Sequence, residues 1–336
     1  MAGNRFPVPS RESSTASELV LTVASPRELA DTDLSPYDAV CLGNAYCRRV
    51  EENLAEHPGM LPVAVASLHA AGKKVYVTSP AAPRGRDMPH VERLIEAVVS
   101  AGADAIEVHN MGVLRVLREK GIPLPAHMGA FANVYTHLAA KVMRDFGAVR
   151  VRPNAEVSLA EMSVIARDAG VEVEILAHGK IPLGITEKCF LLEGPEETDP
   201  GCPAACTEEH WLEAGRTGSR SQRSGEGAWV LKNVGKGVLS GKDMCVIEHL
   251  PRLLSEGIRI FKVEGLYETA AYCSEVGAVY REALSLALSG REYAVLPRWA
   301  QILRKHSRNG FCNGYYFGRS GQTYVGTVLQ GGNSRV

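Results

Sequence analysis

The chain has 336 residues, 45% hydrophobic and 22% charged, an ordinary globular composition with enough sequence for one large domain or two smaller ones. Lys plus Arg number 37 against 38 Asp plus Glu, so the overall charge makes no case for a nucleic-acid or anionic-membrane partner and favours a small-molecule substrate over RNA. No apolar run approaches the roughly 20 residues that span a bilayer, and the start, MAGNRFPVPSRESSTASE, lacks the apolar centre of an export signal; the expected location is the cytoplasm.

Residues 1–17 are polar, contain Pro, Ser and Arg, show no apolar period, and read as a disordered lead-in. From residue 18 onward short β-branched runs recur: ELVLTVAS, YDAVCLGN, KKVYVTSP, DAIEVHN, PLPAHMG, AVRVRPN, EVEILAHG and, much later, IRIFKVEG, eight candidate strands in all. Between them lie helical patterns such as MPHVERLIEAVVSAG, MGVLRVLREKG, NVYTHLAAKVMRDFG and SLAEMSVIARDAG, each ending in a Gly that can cap a helix. Alternation of strand and helix implies parallel pairing. Eight such units predict an α/β fold of the TIM-barrel-like (β/α)8 type over residues 18–290, with an open doubly wound sheet as the alternative.

Residues 180–228 break that rhythm. They stand between the seventh and eighth strands, show no clear period, and are too long for a plain strand-to-helix loop. Residues 291–336 read as a C-terminal extension.

The insertion carries Cys189, Cys202 and Cys206, separated by 13 and 4 positions, with Gly201 and Pro203 to set turns. An irregular loop of this kind wraps a bulky cofactor more readily than a helix does. Of the other cysteines, Cys41 lies within a strand, Cys245 and Cys273 lie on apolar helical patterns, and Cys312 is distant. Cys47 differs: it follows the second strand, on the barrel face where the loop after the seventh strand emerges, and Arg48 and Arg49 beside it offset thiolate charge. With eight cysteines and no export signal, metal ligation or buried free thiols outrank disulfides. Spacing leaves an iron-sulfur site, a four-cysteine zinc site and inert buried thiols all open.

The run EVEILAHG followed by the cysteine loop, and then WVLKNVGKGVLSGKDMCVIEHLPRLLSEGIRIFKVEGLYETAAYCSEVGAVYREAL, resembles the collagenase-like peptidase family U thirty-two over roughly residues 18–290. Its most specific parts are Glu174 to Gly179, Lys262 to Gly265, and Tyr280 to Ala283. The family pattern implies a first loop cysteine at position 182, where this chain has proline. The ubiquinone-biosynthesis branch of the family, the UbiV type, also lacks that ligand and takes its fourth cysteine from just after the second strand, the place of Cys47. The resemblance therefore implies a 4Fe-4S cluster on Cys47, Cys189, Cys202 and Cys206. It further implies an oxygen-independent hydroxylase or its partner subunit, acting on quinone precursors, RNA bases or a secondary metabolite, with prephenate as oxygen donor. A heterodimer with a UbiU-like family paralogue is implied as well. The alternatives are a peptidase, for which neither a GxSxG elbow nor an HExxH helix is present, and a non-catalytic iron-sulfur scaffold.

Further candidates sit near strand ends, where barrel enzymes place their chemistry. Glu107, His109 and His127 follow the fourth and fifth strands, as capping groups or as substrate contacts. Arg150 and Arg152, with Glu156, follow the sixth and suit a dicarboxylate, or else form a surface pair. Alternation puts Glu174 and His178 on one face of the seventh strand, to support the cysteine loop, and Lys262 and Glu264 on one face of the eighth. Lys232, Asn233 and the segment 312–318 are candidates to cover the cluster or meet a partner.

Overall fold

A short strand buried on both faces, followed by an amphipathic helix, buries its apolar surface only when parallel neighbours flank it and the helix packs outside. That unit repeats through the computed structural model, which describes residues 16–48, 53–57, 59–191, 206, 208–213, 230–319 and 321–329. In order the elements are β1 (Glu18–Val23), α1 (Pro26–Asp31), β2 (Ala39–Leu42), α2 (Leu61–Ala70), β3 (Lys74–Thr78), α3 (Met88–Ala101), β4 (Ala105–Val108) and α4 (Met111–Glu119). They continue with β5 (Ala126–Met128), α5 (His137–Asp145), β6 (Ala148–Val151), α6 (Leu159–Asp168) and β7 (Glu172–Ile185).

An insertion follows, comprising β8 (His210–Glu213), β9 (Val230–Asn233), β10 (Gly237–Cys245) and α7 (Leu250–Ser255). The chain then completes the barrel with β11 (Ile260–Glu264) and ends in α8 (Ala270–Leu288), α9 (Pro297–His306) and β12 (Phe311–Cys312). Strands β1 to β7 pair in order, all parallel, and β11 closes the ring by pairing parallel with both β1 (Leu19 opposite Phe261) and β7 (Ile260 opposite Glu174). The fold is thus a closed eight-stranded (β/α)8 barrel, and the open sheet is excluded. Helix starts follow side-chain caps: Ser158 makes a capping box for α6, and Thr136 begins α5 three residues later than its apolar period.

The insertion is more ordered than its sequence predicts. Strand β7 runs on through Ile185 and pairs antiparallel with β10, which pairs with β9 and then β8, while β12 lies parallel to β10. Pro182, which has no N–H to donate, sits opposite Leu239 where the register shifts. Lys180 bonds Asp243 at 2.7 Å and the Gly241 carbonyl at 3.1 Å, so polar residues in this sheet satisfy one another. Cys245 ends β10 and is not helical.

The extension packs on this body. Trp299 of α9 is buried, its Nε1 donating to Glu282 of α8 at 2.6 Å, and the Glu248 carboxylate accepts the backbone N–H groups of Thr327, Val328 and Leu329 at 2.8–3.2 Å. The main apolar core lies between barrel and helices. Inside the barrel the apolar layer is thin, made of Val20, Ala39, Cys41, Tyr76, Ala105 and Ile260. No helix among the described residues is long and apolar enough to cross a membrane. The lead-in, apart from Ala16 and Ser17, lies outside the described residues.

Candidate active site at the barrel mouth

Strand alternation sends every second side chain into the barrel, and charged residues occupy many of those positions. At the N-terminal end Glu18 accepts hydrogen bonds from Arg150 (2.8 Å), Tyr76 (2.8 Å) and Lys74 (3.1 Å). Burial opposes ionisation of Glu18, but the Arg150 guanidinium overrides it and holds the carboxyl below its usual range. Arg150 also meets Glu172 at 3.0 Å and Glu174 at 3.5 Å. Arg150 therefore closes the floor of the barrel, its donors facing carboxylates of this chain. It lies within β6, not after it, and Glu156 pairs with Tyr135 (2.9 Å) instead of with an arginine.

One layer up, the buried Lys262 donates to Glu107 and lies 3.7 Å from Glu174. Burial disfavours the charge of Glu107, yet Lys262 and His109 keep it ionised far below the usual range. His127 packs edge-on against Tyr76 with ring centroids 4.6 Å apart, and burial, with Arg150 beside it, keeps the imidazole neutral. Its place is in the barrel interior below the mouth.

His178 departs from its expected face. The register between β7 and β11 shifts between Lys262 and Val263, so Leu176 stands opposite Lys262 and His178 opposite Val263. This irregularity turns His178 outward, onto Tyr272, Tyr280 and Phe311, while Glu174 faces inward. His178 belongs to the packing between the barrel and α8, with its pKa lowered by burial to about 4.

The mouth itself is a small concavity that includes Thr22, Thr78, Glu107, His109, Arg152 and Glu264 in its lining, with Tyr46 and Phe131 at its side. His109 Nε2 lies 3.1 Å from both Glu107 Oε1 and Thr78 Oγ1, and Nδ1 accepts the Phe131 N–H at 3.4 Å. An accepting Nδ1 leaves the proton on Nε2, so the imidazole donates to Glu107. Gly129 makes this position possible, because a Cβ there would lie 2.2 Å from His109 Cε1. Burial raises the Glu264 carboxyl above its usual range. Lys262 and Glu264 do share the inner face, one layer apart.

A second feature abuts this mouth. Asn44, just beyond β2, accepts the N–H groups of Tyr46 (2.9 Å) and Cys47 (3.3 Å) and donates to the Tyr267 hydroxyl at 2.9 Å. Beyond β7, Thr186 and Phe190 donate backbone bonds to the carbonyls of Lys236 (2.7 Å) and Gly235 (3.1 Å), holding Cys189 against the β9–β10 turn. Gly235 has φ +79°, and a Cβ on it would lie 3.0 Å from Cys189 Sγ and 3.4 Å from Cys206 Cβ. Burial raises Tyr267, and the nearby thiols of Cys206 and Cys47 add to that. Cys47 lines a shallow cleft with Thr186, Glu187 and Lys236.

Cys189 and Cys206 thus meet at Gly235, and Cys47 acts on the same Tyr267 as Cys206; thiols of this kind are the donors an iron-sulfur cluster takes. Cys202 lies outside the described residues, and among those residues no group of three His, Cys, Asp or Glu is arranged around a single metal ion. Cys41, Cys245, Cys273 and Cys312 are apart from this group, each raised by burial, the reverse of an activated nucleophilic thiol. Lys232 and Asn233 do approach the thiols: Asn233 accepts the Gly235 N–H at 2.7 Å, and Lys232 donates to the Tyr267 carbonyl at 3.3 Å. Segment 312–318 packs elsewhere, with Asn313 bonded to the Cys245 carbonyl at 2.6 Å and Phe317 stacked near His249.

Tyr46 separates the two features. It lines both cavities, meets Phe131 edge-on at 5.4 Å and faces Tyr267 at 6.3 Å. Thr22, Asn44, Thr78, Phe131 and Tyr267 are absent from the sequence-based candidates. Thr22 and Thr78 had a signal, since they continue the inward alternation of Val20 and Tyr76 by one more step.

A parallel barrel with a polar mouth and a thiol-bearing insertion at its C-terminal face defines the class of this protein. The chain belongs to peptidase family U32, whose family model matches residues 35–326. It is similar to tRNA hydroxylation protein P of Escherichia coli (strain K12), 26% identical over 295 residues that cover 76% of this chain and 65% of that protein. An uncharacterized protease of Methanocaldococcus jannaschii is 30% identical over 257 residues, covering 74% and 60%. The 23S rRNA 5-hydroxycytidine C2501 synthase of Escherichia coli (strain K12) is 25% identical over 260 residues, covering 73% and 37%. The chain therefore spans less than two thirds of the length of each of these relatives.

Proposed function

We propose that this chain is an iron-sulfur protein that hydroxylates an RNA base without molecular oxygen, alone or as the hydroxylating part of a complex. The observation that carries this reading is the placement of the thiol cradle and the polar barrel mouth on two sides of one residue, Tyr46. The names of two relatives, which refer to tRNA hydroxylation and to 5-hydroxycytidine in rRNA, support the choice of substrate. In this reading Cys47, Cys189, Cys202 and Cys206 hold a 4Fe-4S cluster, which supplies electron transfer when bound.

The chain's own residues do the rest. Phe131 and Tyr46 offer ring faces and edges to a flat base at the mouth. His109, held by Glu107, Thr78 and the Phe131 N–H, is the imidazole that lines the mouth beside the base. Replacing C–H by C–O–H removes two electrons from the ring, so a separate co-substrate must supply the oxygen and accept them. A base enters such a pocket from a single strand or a loop, which fits the near-neutral charge better than duplex binding does.

The test is anaerobic purification followed by iron analysis, with nucleoside mass spectrometry on RNA from cells with and without the gene. About four irons per chain, lost in Cys202→Ala and Cys47→Ala, together with a hydroxylated nucleoside that disappears on deletion, is the expected result. Colourless protein with stoichiometric zinc, or an unchanged nucleoside profile, refutes it. The same deletion strain tests hydroxylation of a quinone precursor in complex with a UbiU-like paralogue, a reading that Pro182 together with Cys47 favours: there the quinone, and not the RNA, changes.

A further inference from the structure

The polar groups of the mouth are covered. Thr22, Thr78, Glu107, His109 and Arg152 line it, yet none is more than 6% exposed, and the space left between them is about that of one water molecule. Sites that take a small molecule usually enclose roughly 300–1,000 Å³. A flat ring therefore reaches His109 only if part of the wall moves.

Two aromatic side chains form that wall, and they are held very differently. Tyr46 is fixed: its N–H donates to Asn44 Oδ1 at 2.9 Å, the carbonyl of Ala45 accepts the Ala81 N–H at 2.9 Å, and its ring fills the space beside Gly237, where a Cβ would lie 2.3 Å from Tyr46 Cδ1. Phe131 stands on the short turn Ala130–Ala132, its ring edge-on to Tyr46 at 5.4 Å and tilted against His109 at 5.6 Å. Apart from the bond from the Ala132 N–H back to the Gly129 carbonyl (3.0 Å), the backbone of this turn makes one hydrogen bond among the described residues, from the Phe131 N–H to His109 Nδ1 at 3.4 Å, long for such a bond. Both flanks are anchored, since the Gly129 N–H donates to the Val108 carbonyl at 2.8 Å and the Val134 carbonyl accepts the Asn154 N–H at 3.0 Å. The residues between anchor and turn suit a hinge: Gly129 has no Cβ to restrict rotation, and Asn133 stands at φ 53°, a region that Asn enters more readily than most residues.

We infer that the turn Ala130–Ala132 is a gate over the barrel mouth and that Phe131 is its leaf, which parts from Tyr46 and His109 to admit a flat ring and then packs against that ring. The inference rests on the hydroxylase reading only in identifying the ring with an RNA base. Opening breaks one long hydrogen bond and two ring contacts and leaves every barrel strand in place, and an incoming ring replaces both contacts. Shut, the gate keeps bulk water from Glu107, His109 and Arg152, as a lid over an active site does.

The experiment is carbethoxylation of the full chain, purified anaerobically, with diethyl pyrocarbonate at pH 8, where an ordinary imidazole is neutral, read residue by residue by peptide mass spectrometry. The reagent attacks an imidazole lone pair, and that of His109 Nδ1 is the one the Phe131 N–H covers. His178, 1% exposed in the packed core, is the closed reference, and His109 in Phe131→Ala is the open one. In the unsubstituted chain His109 is expected to react at least tenfold faster than His178 and at least tenfold more slowly than in Phe131→Ala. A rate within tenfold of His178 means a wall that stays shut, and a rate within tenfold of Phe131→Ala means a mouth that stands open; either overturns the inference. Phe131→Leu, which loses the ring but keeps an apolar side chain, serves as the open reference if Phe131→Ala does not fold. Because neither RNA nor a nucleoside enters the measurement, a gated His109 found beside unchanged cellular RNA would retain the gate and refute only the choice of substrate.

Discussion

Replacing Gly129 by alanine should disable the mouth through a single collision. The backbone at Gly129 has φ −82° and ψ −179°, which any residue adopts, so no conformational strain enters. The added methyl would sit 2.2 Å from His109 Cε1 and 2.4 Å from Nδ1, whereas ordinary contact begins at 3.4 Å. The imidazole must therefore move by about 1.2 Å, away from partners now at 3.1 Å. Overpacking of a rigid interior costs about 1–3 kcal/mol, and the lost bond to Glu107 adds about 0.5–1.5 kcal/mol, so Gly129→Ala should destabilise by roughly 2–4 kcal/mol. Urea unfolding of a double-mutant cycle isolates the cause. In a His109→Ala background the colliding atoms are gone, and Gly129→Ala should cost less than about 0.5 kcal/mol. Equal costs in both backgrounds would refute the contact and, with it, the placement of His109 in the mouth.

Other consequences follow from buried charge and from the thiol cradle. Lys262→Met leaves Glu107 and Glu174 buried without their shared cation and should cost about 3–5 kcal/mol in urea unfolding, with Glu107→Gln in the same chain recovering part of it; no recovery would mean that the loss is one of packing. Gly235→Ala places a side chain at φ +79° against Cys189 Sγ, so iron per chain should fall after anaerobic purification even where the fold survives, and full iron loading would show that the cradle is not at the cluster. Burial pushes the Glu268 carboxyl up to about 7, with Lys232 opposing from 3.6 Å. The folded chain then holds a proton that the unfolded chain has released above about pH 4.5, so stability falls as pH rises from there through 7. At about 1.36 kcal/mol per pH unit the loss is at most about 3.4 kcal/mol, less because the side chain is one-fifth exposed. Glu268→Gln should flatten that slope in pH-dependent urea midpoints, and an unchanged slope assigns it to another group.

The eight barrel strands were legible because each is a short β-branched run between helical patterns, and parallel pairing follows from that alternation alone. The outer sheet was not legible. Its strands carry Lys180, Asp243 and Lys232, whose partners come from distant parts of the chain, and Pro182, which sits where the register slips. Alternation also misplaced His178, since a shift of one residue between β7 and β11 turns it from the inside of the barrel to the outside. Cys47 was legible through its place after β2, whereas Asn44 and Tyr267, which hold the Tyr46–Cys47 turn, come from positions 223 residues apart that no local pattern connects.

Period two shows that Arg150 and Arg152 share the inner face of β6 but is silent about height along the barrel axis, and height decides what each does. At the floor Arg150 has three carboxylates within 3.5 Å. In the middle Lys262 has two carboxylates within 3.7 Å. At the mouth Arg152 has none within 4 Å, and the Thr22 hydroxyl near it is unmatched as well. Matched charge deep in the barrel keeps the scaffold rigid, as a buried polar network does when every member is satisfied.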